Sequence, residues 1–467
     1  MESSLELYIH IPFCARKCNY CDFLSFASVP DVQRRYMDQL RAELRATAPF
    51  WKNHSVSSVF IGGGTPSLLD AQEIGELMAC IRDSYRLLPD AEITIECNPA
   101  STLRHKFAAY RRAGINRLSI GLQSADNAEL RMLGRLHSYE EFLKCFQGAR
   151  LEGFQNINVD LINCLPMQTD AVWRRTLRTV LLLKPEHVSV YNLIIEPGTP
   201  FYSLNEKGLL MMPDEDEQAK IDLRTREMLE KQGYRRYEVS NWERRGHACR
   251  HNIGYWTGIP YLGFGLGASS YDGKMRYKNT AVLSEYLNAQ LKLDDPGRAA
   301  DALSSIRRET HLLSAEEAME EFMFLGLRMT DGVRAGDFLL RFGRQMTSVY
   351  GAQLAKFCAE GLMERVLPGV RRAAVSQKQR QSYPAADAGF GDRGLGDRGF
   401  GDRGFGDKGF GDKGFGDKGF GDKGSEGRAS EDSLEEADAG SSSVRYRLTE
   451  RGMDLSNLVL SEFLLSD

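Results

Sequence analysis

No stretch of this 467-residue chain is apolar for long enough to cross a bilayer, so the sequence offers no candidate transmembrane segment. Neither sign of charge dominates. Lys and Arg number 60 against 64 Asp and Glu, a formal net charge of -4, and no broad field draws the chain toward nucleic acid or another polyanion. The opening residues lack the basic flank and long apolar core of a secretory signal, because Met1 runs straight into the strand-like Leu5-Glu6-Leu7-Tyr8-Ile9-His10. Cysteine is sparse: nine residues, an odd number, dispersed except for one group. That usage argues against a disulfide framework and for reduced thiols suited to metal or cluster ligation. The expectation is a cytoplasmic protein.

The chain is longer than one hydrophobic core usually serves, which suggests a large domain and a smaller one. Up to about Asn192, β-rich runs alternate with helical patterns, the sequence form of a parallel βα sheet. Strands are expected at Leu7 to Ile11, Ser57 to Ile61, Glu92 to Glu96, Arg117 to Ile120, Asn156 to Leu161 and His187 to Asn192. Helices such as Val32 to Ala46 and Ala71 to Ser84 lie between them. These runs read as near-continuous apolar strands buried on both faces, and the chemically suggestive residues fall just after them, at the carboxyl edge where α/β folds hold ligands. A charged helix, Glu215 to Gly233, then precedes a strand at Tyr237 to Asn241 and a glycine-rich aromatic stretch, Tyr255 to Tyr271, read as strands and loops. An amphipathic helix, Ser314 to Arg328, opens a second domain. Gly361 to Val366 and Val444 to Leu448 read as two strands before a helical Leu455 to Leu465, a winged-helix-like arrangement. The expected division is a core over 1–220, an extension over 221–300 and a C-terminal domain over 301–467. The last is interrupted at 371–443 by an insert whose Gly389 to Gly424 repeats Gly-Phe-Gly-Asp-Lys or Gly-Phe-Gly-Asp-Arg, a composition costly to order.

The strongest chemical signal is Tyr8-Ile-His-Ile-Pro-Phe-Cys14-Ala-Arg-Lys-Cys18-Asn-Tyr-Cys21-Asp-Phe23, a C-x3-C-x2-C loop leaving the first strand. Electron-transfer clusters are ordinarily closed by four cysteines, whereas three thiolates leave one iron of a cubane open to a ligand. Structural zinc is the other reading, and it asks for a fourth protein donor, for which His10 is available. The loop resembles the cluster motif of the radical S-adenosylmethionine (SAM) superfamily. That resemblance implies a partial, TIM-like (β/α)6 radical SAM barrel with a small C-terminal helical domain, and a 4Fe-4S cluster on Cys14, Cys18 and Cys21 whose open iron is chelated by SAM.

One βα unit later comes Phe60-Ile-Gly62-Gly63-Gly64-Thr65-Pro66-Ser67. Glycines let a backbone approach a ligand closely, although a plain strand-to-helix turn needs them too. By resemblance, Gly63, Gly64 and Thr65 match the family's contact to the SAM aminocarboxylate. Glu96, Gln123, Arg135 and Asp160 end or follow successive strands. Carboxylates accept from hydroxyls or an ammonium and Arg grips a carboxylate, while each alone is as readily a capping or ion-pairing residue. Together with Tyr8 and Tyr20 they resemble the SAM-contacting set of the branch related to oxygen-independent coproporphyrinogen III oxidase.

Within that branch two readings stand: a radical SAM enzyme of porphyrin biosynthesis, or a heme chaperone that binds heme and passes it on. The oxidase pattern has a further cysteine two places after the third; here that place is Phe23. His251-Asn252-Ile253-Gly254-Tyr255-Trp256 resembles the H-N-x-x-Y-W signature of the chaperones, with His251 a candidate heme contact, although a histidine buried beside core aromatics reads equally well. The first strand also begins almost at Met1, where the oxidases carry an extension. Tyr191-Asn-Leu-Ile-Ile-Glu196-Pro-Gly-Thr-Pro200 and Tyr261-Leu-Gly263-Phe-Gly265 match the branch as well, with purely structural roles equally open. The resemblance thus implies a heme chaperone binding cluster, SAM and heme, with heme-acceptor membrane respiratory proteins as partners; coproporphyrinogen III oxidase-like activity is the alternative, and whether the chain is an enzyme stays open.

Overall fold

The computed structural model describes residues 3–101, 104–291, 296–367 and 443–465, which form two compact units, one ending at Ser314 and the other beginning at Ala315. The first is built on a sheet of twelve strands. Six of these stand in chain order with every neighbouring pair parallel: β1 (Ser3–Ile11), β2 (His54–Gly63), β3 (Leu87–Cys97), β4 (Arg117–Gln123), β5 (Ile157–Asn163) and β6 (His187–Asn192). Helices such as Pro30–Thr47, Ala71–Ser84, Tyr139–Leu151 and Asp170–Leu182 make the crossovers that parallel pairing requires. This is the expected partial (β/α)6 barrel. Two of these helices start on side-chain caps, a full box of Ser138 with Glu141 for Tyr139–Leu151 and the Thr169 hydroxyl for Asp170–Leu182.

Beyond β6 the chain adds β7 (Arg235–Arg236) and β8 (Asn241–Glu243), with β8 antiparallel to both β6 and β7. At the other edge β9 (Tyr261–Phe264) runs parallel to β1, and β10 (Ser269–Tyr271), β11 (Met275–Asn279) and β12 (Arg307–Leu312) follow as antiparallel neighbours. Two local expectations need correction. Of the strand expected at Tyr237 to Asn241 only Asn241 lies in one, as the first residue of β8, while Tyr237 to Ser240 turn the chain from β7 into β8: Glu238 accepts from the Ser240 N–H at 2.8 Å and from Asn241 Nδ2 at 2.6 Å, and that local bonding displaces ladder pairing. The aromatic stretch from Tyr255 begins inside a helix, Arg250–Thr257. The boundary expected at 300 falls within helix Pro296–Ile306, and β12 beyond it belongs to the first unit's sheet.

The parallel strands are apolar on one face only. Leu5, Leu7, Ile9 and Ile11 are fully buried in the main core, while the alternate residues Glu6, Tyr8 and His10 share the other face. Register carries this polar pattern around the barrel: Glu6 stands opposite Ser58, Ser58 opposite Glu92, Thr94 opposite Arg117, Ser119 opposite Asn158 and Asn158 opposite His187. All of these are buried. Buried polar groups are costly unless they bond one another, and many here do. Asn158 Nδ2 donates to Ser119 Oγ at 2.8 Å, and the two ring nitrogens of His187 meet Asn158 Oδ1 at 2.7 Å and Tyr237 Oη at 2.9 Å.

The second unit consists of helix Ala315–Gly326, β13 (Val333–Arg334), helices Ala335–Phe342 and Met346–Ala359, then β14 (Met363–Val366) and β15 (Arg445–Leu448), followed by short helices Glu450–Asp454 and Ser456–Ser461. Its sheet order is β13-β15-β14, all antiparallel, so helices precede a terminal hairpin in the winged-helix-like manner expected. Phe338, Tyr350, Tyr446 and Phe463 are fully buried within it. The repeat at Gly389 to Gly424 lies outside the described residues, as does nearly all of 371–443. Among the described residues no helix is long and apolar enough to cross a membrane.

Candidate functional site

The cysteine loop leaves β1 and is held at three points. At its base the Cys14 N–H donates to Phe26 O at 3.0 Å and the Phe26 N–H to Pro12 O at 2.8 Å. Beside it, the glycine turn after β2 reaches over: Gly64 N–H donates to Ile11 O at 2.8 Å and Thr65 N–H to Phe13 O at 2.7 Å. On the far side Asn19 donates from its backbone to Leu133 O at 3.0 Å and from Nδ2 to Met132 O at 2.8 Å, while Arg16 donates to Gly134 O at 2.7 Å. The segment that carries Arg135 is therefore pinned to the loop that carries the thiols. Arg16 and Asn19 do this work and had no signal in the sequence beyond their place between the cysteines.

Cys14, Cys18 and Cys21 are all half-buried, whereas Cys80, Cys97, Cys145, Cys164 and Cys249 are shut inside the fold. Cys14 Sγ lies 3.4 Å from Thr65 Oγ1, and Arg135 Nη1 donates to Cys18 Sγ at 3.6 Å. Burial pushes the Cys21 thiol up to about 11, against the opposing effect of the Phe23 N–H. Among the described residues no three His, Cys, Asp or Glu side chains converge as ligands of a single metal ion; a cubane takes each thiolate on a different iron and asks for no such convergence. His10, the donor a zinc site would need, is turned elsewhere: its nitrogens meet Tyr8 Oη at 3.0 Å and Leu24 O at 2.9 Å.

The remaining predicted residues form a half-buried layer above the buried polar one. Gly63 has φ 108, and a Cβ there would lie 2.5 Å from His10 Nδ1, so only glycine fits. Its N–H donates to Glu96 Oε2 at 3.1 Å. Burial pushes the Glu96 carboxyl up to about 8, helped by the negative charge of Asp160 and eased by that N–H. Asp160 accepts from Ser119 Oγ at 2.8 Å and Asn158 Nδ2 at 2.7 Å, and burial raises it too. Gln123, at a register shift in β4, has φ 73, a left-handed conformation that non-glycine residues seldom keep without a reason. Arg135 donates from Nη2 to Gly121 O at 2.8 Å, and its buried Nε has no partner among the described residues. Tyr8 stacks on Phe60 with ring centroids 6.4 Å apart; Tyr20 packs on a small apolar cluster beside the loop. Burial raises both phenols.

His251 is not in this layer. It is 1% exposed, stacks on Phe60 at 5.3 Å, and has both ring nitrogens engaged, Nδ1 with Ser58 Oγ at 2.7 Å and Nε2 with Tyr255 Oη at 2.9 Å. Burial, then the charge of Arg117, lowers its pKa to about 3, so the ring is neutral. Glu6 Oε2 stands 3.7 Å from it. Glu6 and Arg117 went unremarked in the sequence, although the alternation through β1 and β4 places both on the inner face.

The family model described as the Radical SAM superfamily matches residues 8–180, and that of the HemN C-terminal domain matches residues 313–365. The chain is 35% identical over 357 residues to the heme chaperone HemW of Bacillus subtilis, a match spanning 76% of this chain and 92% of that protein. It is 38% identical over 280 residues to the heme chaperone HemW of Escherichia coli, spanning 60% and 72%. To the mouse protein named radical S-adenosyl methionine domain-containing protein 1, mitochondrial, it is 34% identical over 370 residues, spanning 78% and 83%. Among solved structures, the coproporphyrinogen III oxidase HemN of Escherichia coli superposes with a TM-score of 0.67 over 78% of this chain and 85% of that one, at 24% identity, a likeness of fold.

Proposed function

Because this chain belongs to the radical SAM heme-chaperone family, we propose that it holds a 4Fe-4S cluster on Cys14, Cys18 and Cys21, binds SAM beside it, and carries heme through the cytoplasm to membrane respiratory proteins. The observation that carries the reading is the match along 92% of a heme chaperone's length. The residues fit the cofactors. Three thiols reachable from solvent suit an iron-sulfur cubane, and the unpartnered Nε of Arg135 leaves a donor for an anionic group nearby. The turn at Gly63, Gly64 and Thr65 suits the close approach of an aminocarboxylate, and Glu96 and Asp160 supply acceptors for a cationic, hydroxyl-bearing ligand. By the family resemblance, Gln123, Tyr8 and Tyr20 would complete the contacts to SAM. When bound, the cluster supplies a reducing electron to the sulfonium of SAM. The chain's own part is to fix the loop through Arg16 and Asn19 and to present Arg135 to it.

Phe23, 57% exposed, occupies the place of the oxidases' further cysteine, which favours a carrier over the porphyrinogen-decarboxylating enzyme. The test is anaerobic reconstitution of the full chain followed by parallel incubation with coproporphyrinogen III and with hemin. Stoichiometric hemin binding without decarboxylation supports the proposal. Conversion to protoporphyrinogen overturns it.

A further inference from the structure

The inner face of the barrel holds one residue whose cost the fold does not explain. Alternation puts Glu92, Thr94 and Glu96 of β3 and Arg117 and Ser119 of β4 on that face, and pairing sets Thr94 opposite Arg117 and Glu96 opposite Ser119. Arg117 therefore stands two residues below the level at which Glu96 faces Ser119, and Ser119 Oγ donates to Asp160 Oδ2 at 2.8 Å. It is 1% exposed, and its Nε and Nη1 have no partner among the described residues. Burying a guanidinium with two donors unpaired is costly, and an apolar side chain of like volume fills such a place without that cost. What surrounds it is negative or neutral. Burial, then the charge of Arg117, lowers His187 and His251, so both rings are uncharged. Near its charge stand the Cys249 thiol, Glu92, the Tyr237 phenol and Asp160. The same charge opposes the burial that raises Glu96 and Asp160. Arg135, the other buried arginine of the site, is committed elsewhere, donating to Cys18 Sγ and Gly121 O.

We propose that Arg117 is a positioning residue for SAM: from the layer below, its charge holds Glu96 and Asp160 as the negative pair that receives the cationic ligand. The inference rests on the proposed SAM site and adds to it a residue that touches no ligand. The titratable and charged groups facing Glu96 are Tyr8 on β1, Asp160 on β5 and Arg117 on β4. Asp160 also accepts from Ser119 and Asn158, which are neutral. Without Arg117 no cation among these groups opposes the paired carboxylates, and both keep their protons to higher pH. A protonated pair gives a sulfonium or an ammonium nothing to bind.

The test is calorimetry of SAM binding across pH with the anaerobically reconstituted full chain. Arg117→Met keeps the apolar stem and removes the charge. Arg117→Gln also keeps amide donors for the fold, and is read in its place where the Met protein does not fold. With iron and sulfide content unchanged, SAM affinity near neutral pH should fall about tenfold, and the inflection of its pH profile should move up by about one unit. Arg117→Lys, which keeps the charge, should restore both. In a Glu96→Gln background Arg117→Met should no longer move the inflection. If the wild type binds SAM and neither neutral variant shifts the profile, or if neither folds, Arg117 is structural and the inference fails while the SAM reading survives. A Lys variant as weak as the Met one overturns it as well, because shape and not charge is then what matters. If the wild type itself binds no SAM, both fail.

Discussion

Replacing Gly63 by alanine tests the site's construction at its tightest point. At φ 108 a Cβ is disfavoured by the backbone itself, at about 1–2 kcal/mol. It would also lie 2.5 Å from His10 Nδ1 and 2.6 Å from Cε1, inside any real contact. The imidazole must therefore swing away from Tyr8 Oη and Leu24 O, and each buried group left unbonded costs about 1–3 kcal/mol. The sum is a destabilisation of about 3–8 kcal/mol, with loss of SAM binding because the Gly63 N–H that faces Glu96 is displaced. Gly75 is the control. It lies inside helix Ala71–Ser84 with nothing within 4 Å of the place a methyl would take, and Gly75→Ala should stabilise by about 0.5–1 kcal/mol. Urea denaturation of the anaerobic full chain, followed by circular dichroism, separates the two. A Gly63→Ala protein within about 0.5 kcal/mol of wild type and still binding SAM would refute the packing of Gly63 against His10.

Glu96, pushed up to about 8, must lose its proton to meet a cationic ligand; SAM affinity should therefore fall by up to about tenfold per pH unit below about 8, level off above it, and lose this dependence in Glu96→Gln, as calorimetry across pH would show. Arg135→Ala should leave cluster iron and sulfide in place but weaken SAM binding by about tenfold to a hundredfold, with Arg135→Lys restoring little because the forked geometry is missing; equal SAM affinity in all three proteins would remove Arg135 from the site. His251→Ala should destabilise the chain by about 1–3 kcal/mol through Ser58 and Tyr255 and leave the hemin spectrum unchanged. The reverse outcome, an altered spectrum with unchanged stability, would make His251 the iron ligand.

What the sequence made legible was local. The spacing of Cys14, Cys18 and Cys21 needs no tertiary knowledge, and the parallel strands announce themselves by runs of strand-forming residues, His187 to Asn192 being found with the ends expected. The inner face was misread because Tyr8 and Thr94 have strand preference of their own and the single serines Ser58 and Ser119 sit between strand-forming neighbours, and only register shows that they meet other polar groups. Helix Arg250–Thr257 was missed for a longer-range reason. Its N-cap, Cys249, contributes no side-chain cap bond; the cap comes from Glu92 on β3, which accepts from Arg250 N–H at 3.0 Å and His251 N–H at 3.4 Å. No local pattern announces a cap donated from 158 residues away in sequence. The same limit hid the attachment of the cysteine loop to Met132, Leu133 and Gly134.

The claim beneath all of this is that three thiolates leave one iron of a cubane open to SAM. It is tested most directly by electron paramagnetic resonance of the anaerobically reconstituted, dithionite-reduced chain before and after SAM is added. The account predicts a 4Fe-4S signal that changes shape with SAM and is missing from Cys14→Ala, Cys18→Ala and Cys21→Ala. A signal indifferent to SAM, or a chain that takes up zinc in place of iron and sulfide, would contradict it.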